Sequence, residues 1–182
     1  MDYSSTHREI IEACKQGNRQ AQFELYRLYS RAMYGVCLRM LKNETDAEDM
    51  LQNAFVDIFT KLDSFRYQSA VGAWIKRIVV NNCINFLKKR RVYFDELDER
   101  HGNILFEDTM TDSPKLDVGS IKRAVQELPD GYRVVLSLYM FEGYDHGEIA
   151  NILGITEATS KSQYSRAKQK LRRFLNREEV LS

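Results

Sequence analysis

The chain has 182 residues, only two prolines, and 27 basic against 26 acidic side chains, a net charge of +1. That length fits one domain of ordinary size or two small ones. No apolar stretch approaches the ~20 residues that cross a bilayer, and MDYSSTHREIIEACK carries no signal-like apolar run, so a cytoplasmic protein without membrane insertion is expected.

Apolar residues recur at helical spacing almost throughout and strand signals are nearly absent, which predicts an all-α fold. The first helix covers about 6–16, with Ile10, Ile11, Ala13 and Cys14 inward. Gly17-Asn18 ends it and caps the next. That second helix, about 19–41, presents a broad apolar face of Phe23, Leu25, Tyr26, Leu28, Tyr29, Met33, Tyr34, Val36, Cys37 and Leu41. Asn43-Glu44-Thr45 breaks and caps a third helix over about 46–62, whose core stripe is Ala47, Leu51, Ala54, Phe55, Ile58 and Leu62. On another side of it lie Asp49, Gln52, Asn53 and Val56, at i, i+3, i+4 and i+7. This mixed polar stripe with a valine reads either as a solvated face or as a docking surface for a basic partner helix.

Residues 63–68 read as a loop and about 70–91 as a fourth helix ending in Lys88-Lys89-Arg90-Arg91. Residues 66–92 hold seven basic and no acidic side chains. Phe65, Arg66, Tyr67, Trp74, Lys76 and Arg77 mix aromatics with cations, the combination single-stranded nucleic acid calls for: cations follow the backbone and rings stack on unpaired bases. Trp74 shares a helical face with Ile75, Ile78 and Val79 and is at least partly core; the basic run alone also suits a solvated helix end. Residues 93–117 reverse the charge, two basic against eight acidic, with little periodicity, and read as a linker. Helices resume near Val118. Two basic footprints, 66–92 and 156–182, are thus separated by an acidic tether.

The last third reads as a helix-turn-helix. Leu128-Pro129-Asp130 punctuates the start of a helix that Gly143 ends. Asp145 and Glu148 form a capping box on a short helix carrying Ile149, Ala150 and Leu153. Gly154 fits the tight turn and Thr156 can cap a helix from Glu157 to about Leu175. Its polar face includes Lys161, Ser162, Gln163, Arg166 and Lys170, a helix suited to the major groove. Cys14, Cys37 and Cys83 fall in helical patterns, so reduced, buried thiols are the default. His7, His101 and His146 share no ligand spacing, so neither metal nor cofactor is expected, and no catalytic constellation is present.

These parts, in this order, resemble the extracytoplasmic-function (group IV) sigma factors of bacterial RNA polymerase. DAEDMLQNAFVDIFTKLDSF is similar to the family's polymerase-binding helix, AWIKRIVVNNCINFLKKRR to its promoter-melting and −10-reading helix, and LPDGYRVVLSLYMFEGYDHGEIANILGITEATSKSQYSRAKQKL to its −35-reading domain. The resemblance implies two small helical domains, sigma region 2 over 1–92 and helix-turn-helix sigma region 4 over 118–182, joined by the acidic linker 93–117. It implies a −10 surface of Phe65, Arg66, Tyr67, Trp74, Lys76, Arg77 and Asn81, where Phe65 and Asn81 match positions lining a pocket for a base flipped from the non-template strand. Asn81 also has a plain alternative, capping or packing within its helix. The −35 surface is Thr159, Lys161, Ser162, Gln163, Ser165, Arg166 and Lys170. Asp46, Asp49, Gln52, Asn53 and Val56 would face a basic coiled coil on the clamp of the large polymerase subunit. Partners so implied are core RNA polymerase, promoter DNA as duplex and single strand, and an anti-sigma factor. Asn53 stands where the family usually has glutamate, Gln163 where arginine is common, and Ser165 where a bulkier residue is frequent. An ordinary helix-turn-helix repressor or activator would need no second nucleic-acid footprint, and a sigma mimic would not need cations on both.

Overall fold

A computed structural model of the chain describes residues 3–90 and 118–181, with side-chain surroundings over 7–90 and 118–176. The expected linker, 93–117, lies outside the described residues. Among those described the elements are all helical: α1 (Tyr3–Lys15), α2 (Arg19–Leu41), α3 (Glu44–Lys61), a 3-10 turn (Leu62–Ser64), α4 (Val71–Lys89), α5 (Val118–Gln126), α6 (Asp130–Met140), α7 (His146–Leu153) and α8 (Glu157–Leu181). The chain divides into two compact units, Met1–Phe86 and Leu87–Ser182.

In the first unit the helix starts follow their caps. The Asn18 side chain accepts from the Ala21 amide at 3.1 Å, and Asn43 accepts from the Asp46 amide at 2.9 Å. α2 closes on Lys42, whose left-handed backbone lets its amide reach the Leu38 carbonyl. Ile10, Ile11 and Cys14 of α1, and Ala47, Leu51, Ala54, Phe55 and Ile58 of α3, are buried at the expected spacing. The broad apolar face expected on α2 is narrower than its composition. Leu25, Met33, Val36, Cys37, Met40 and Leu41 are buried, but Phe23, Tyr26 and Leu28 are exposed. A helix packed on its neighbours along one stripe buries only that arc, so apolar residues elsewhere on α2 stay in solvent. All three cysteines are buried and free.

In the second unit α6 is buried almost all round, Val134 through Leu138. It packs with α5 and α8 about Val125, Leu128, Leu136 and Ala167. Arg133 is also interior, 1 % exposed. Its guanidinium donates to the Leu128 carbonyl at 2.9 Å and pairs with Asp130, so a buried cation ties the Leu-Pro-Asp turn to α6. A buried charge so compensated avoids the penalty of an unpaired one. α7 carries the full capping box: Asp145 accepts from the Glu148 amide at 2.7 Å while Glu148 accepts from the Asp145 amide at 2.9 Å. Gly154, at φ +73°, turns the chain from α7 to α8, a backbone conformation where glycine has no Cβ penalty. Thr156 then caps α8 through the Thr159 amide at 3.0 Å.

Candidate nucleic-acid interfaces

The loop after the 3-10 turn is built on packed, mutually tilted rings. Phe65, expected at the surface, is buried at 4 % exposure. Its ring lies 4.9 Å from that of Tyr67 and 5.3 Å from that of half-buried Trp74. It therefore serves as the pedestal of the loop, and any ring offered to a base is that of Tyr67, 36 % exposed. Tyr67 has φ +57°, a region uncommon for a non-glycine residue and costing about 1–3 kcal/mol. Contacts from α1 hold it there. Its hydroxyl donates to Glu12, and both Arg8 and Lys15 sit 4.9 Å from its ring centroid. Lys15 also reaches the Phe65 carbonyl at 3.5 Å and Glu12 at 3.1 Å. Burial, then the Glu12 hydrogen bond, pushes the Tyr67 phenol up to about 12. The Tyr67 hydroxyl and then Lys15 hold the Glu12 carboxyl below its usual range. Beside the loop opens a cavity of about 710 Å³, walled by His7, Arg8, Tyr29, Phe65, Tyr67 and Gly72 among others. At Gly72 a Cβ would stand 3.1 Å from the Tyr29 ring, so a side chain there would crowd this wall.

Along α4, Arg66 before it and Arg77 on it are exposed and Lys76 is half-buried. Asn81 is exposed, whereas its neighbour Asn82 is the packed one. Asn82 donates to Asp57 at 3.0 Å and to the Ile78 carbonyl at 3.1 Å. That hydrogen bond, then one from Lys61, keeps the Asp57 carboxyl below its usual range. The packing alternative for Asn81 thus belongs to Asn82.

On the outer face of α3, Asp49, Gln52 and Asn53 are exposed, Asp46 is half-buried and Val56 is 65 % exposed. A valine so far out of the core at i+7 from Asp49 gives this polar stripe an apolar end.

On α8 the expected reading face splits. Lys161, Ser162 and Ser165 are exposed, while Thr159, Arg166 and Lys170 are half-buried. Lys161 pairs with Glu157 at 2.6 Å and the Ser162 hydroxyl donates to the Thr159 carbonyl at 2.9 Å. Gln163 departs from expectation: it is 2 % exposed, and its Oε1 is buried without a hydrogen-bond partner. It lies between Ser160 and Ala167, both fully buried, on the stripe that faces α6 and α7. The residue type suggested a base reader, but the i, i+3, i+7 spacing decides which way it points. Sequence reading missed His146. Its ring stacks on Tyr139 at 4.5 Å and its Nδ1 lies 2.9 Å from the Ser160 hydroxyl, joining α7 to α8. Lys168 and Lys170 lie 5.1 and 5.7 Å from the rings of Tyr164 and Tyr132, so each cation is placed by an aromatic neighbour, and their i, i+2 spacing sends them to different sides of the helix.

Among the described residues no cluster of His, Cys, Asp or Glu is arranged to hold a metal ion. No helix there is long and apolar enough to cross a membrane. The surfaces are polar, basic and aromatic, chemistry for contact with nucleic acid and protein.

Residues 25–92 match the family model described as Sigma-70 region 2, and residues 119–171 match Sigma-70, region 4. The chain is 30 % identical over 176 residues to the ECF RNA polymerase sigma factor SigW of Bacillus subtilis, covering 91 % of this chain and 94 % of that one. It is 28 % identical over 177 residues to the ECF RNA polymerase sigma factor SigM of Mycobacterium tuberculosis, covering 95 % and 86 %. Among solved structures, the sigma factor RpoE of Bartonella quintana, crystallised with the anti-sigma factor NepR, aligns over 84 % of this chain and 95 % of its own. Its TM-score is 0.56 at 24 % identity, a likeness of fold.

Proposed function

The chain belongs to the extracytoplasmic-function family of sigma-70 factors, alternative sigma factors that direct promoter recognition for transcription initiation, and from that membership we propose how its surfaces divide the work. The outer face of α3, through Asp46, Asp49, Gln52, Asn53 and Val56, docks on the basic coiled coil of the polymerase clamp. The loop 65–70 and α4 take the displaced single strand of the −10 element, with Arg66, Lys76 and Arg77 along the backbone, Tyr67 as stacking ring, and Asn81 on the edge of an extruded base. On α8, Lys161, Ser162, Ser165 and Arg166 enter the −35 major groove, with Thr159 and Lys170 toward phosphates. The domains are 1–92 and 118–182 with 93–117 as tether, the place of action is the cytoplasm, and the polymerase supplies the chemistry. An anti-sigma factor is the expected regulator; one relative by fold, the sigma factor RpoE of Bartonella quintana, has been crystallised with such a partner.

The single observation that carries the reading is that Asn81 on α4 and the ring of Tyr67 are both exposed, in a segment without an acidic side chain from 66 to 92. Its test is holoenzyme binding to a pre-melted promoter bubble varied at the flipped position. Asn81→Ala is expected to lose discrimination worth about 1–3 kcal/mol for one base there, because one amide makes two hydrogen bonds to a base edge. Asn82→Ala is expected to lower thermal stability and spare base discrimination. Equal loss for all four bases in Asn81→Ala removes the base-reading assignment.

A further inference from the structure

We propose that α1 sets the working shape of the strand-reading loop, with Glu12 as the positioning residue that holds Tyr67 in its left-handed conformation. The inference rests on the reading of that loop as a single-strand contact. Nothing in the loop's own sequence favours a left-handed backbone at Tyr67, where glycine or asparagine would be the ordinary choice. Such a conformation persists only when its surroundings over-determine it. Here they come from 55 residues earlier in the chain, where Glu12 accepts the Tyr67 hydroxyl.

α1 has two faces with separate tasks. Ile10, Ile11 and Cys14 are buried in the core. Arg8, Glu12 and Lys15, at i, i+4 and i+7, form the edge that meets Tyr67. Lys15 adds a hydrogen bond to the Phe65 carbonyl, so the loop is gripped at the pedestal as well as at the exposed ring. α1 lies before residue 25, the first matched to Sigma-70 region 2, so nothing in that match assigns it a role. The arrangement leaves two cations beside one carboxylate. Tyr67 is therefore fixed in place while the positive field next to the strand path is kept.

The test uses the full chain. Trp74, the sole tryptophan, reports on the loop in the free protein, because Phe65 touches both its ring and that of Tyr67. Acrylamide quenching of Trp74 reads the loop, and affinity of the reconstituted holoenzyme for a single-stranded −10 oligonucleotide reads the consequence. Glu12→Ala and Tyr67→Phe are each expected to raise quenching and weaken strand binding about tenfold, the scale of one hydrogen bond to a charged group. The double variant should be no weaker than either single one. Glu12→Gln, which keeps an acceptor oxygen, should restore most of the affinity, and duplex −35 binding should stay unchanged throughout. Unaltered quenching in Glu12→Ala, or additive losses in the double variant, overturns the latch. Raised quenching with parental strand affinity, while Asn81→Ala does lose affinity, overturns the positioning role and leaves strand reading intact. Parental strand affinity in both Glu12→Ala and Asn81→Ala overturns the strand-reading assignment and the positioning role with it.

Discussion

At the scale of single residues, Tyr67 and Gln163 show how contacts with other helices decide what a residue type can do. The Tyr67–Glu12 bond needs a neutral phenol and an ionised carboxylate. Glu12 is held below its ordinary 4.5, so its contribution is complete above that value and is lost as pH falls through the folded one. Tyr67 is raised from 10 to about 12, so its contribution is complete below 10 and is lost as pH rises through about 12. Across the neutral range the latch is therefore constant. The melting-temperature deficit of Tyr67→Phe relative to the parent is expected to be flat from mildly acidic to mildly basic pH and to shrink in strong alkali; a deficit that grows there contradicts the assignment. Gln163 gives the opposite kind of prediction. With its Oε1 buried and unpartnered, Gln163→Leu should leave −35 affinity unchanged and should not lower the melting temperature. Weakened −35 binding in a stably folded Gln163→Leu would show that the glutamine reaches DNA.

At the scale of elements, α3 makes the cleanest separation of docking from folding. Its core stripe is buried and its outer stripe is not. Asp49→Arg reverses a charge on the outer stripe and is expected to weaken binding to core polymerase severalfold with no loss of thermal stability. Polymerase affinity equal to the parent's, measured by fluorescence anisotropy, removes α3 from the interface. The elements themselves were legible where caps and periodicity agree: Asn18, Asn43, the Asp145–Glu148 box and Gly154 act locally, so their residues suffice to place α2, α3, α7 and the turn to α8. The core stripe of α3 followed from spacing for the same reason. What did not follow depends on contacts far apart in sequence. Phe65 is buried because Tyr67 and Trp74 close over it, Tyr67 is pinned by α1, and Phe23 and Leu28 are exposed because neighbouring helices cover only one arc of α2. Gln163 stands three residues after Ser160 and four before Ala167, both buried, and its inward position follows that helical period once the structure shows which face of α8 is covered.

At the scale of the whole molecule, the account rests on two DNA-reading units joined by one tether. The segment 93–117 can span at most about 80–90 Å when fully extended. Two turns of duplex measure about 70 Å, so both units can engage one promoter at that separation. Moving the elements apart by half a turn would place one of them on the far side of the helix axis. The most direct measurement is run-off transcription from a randomised promoter library, with core polymerase in the presence and absence of the chain. The account predicts that only the complete holoenzyme selects templates. It predicts that those templates carry two elements about two turns apart, and that a half-turn insertion between them abolishes the transcript. Chain-independent transcription, or selection of a single element at any spacing, would contradict it.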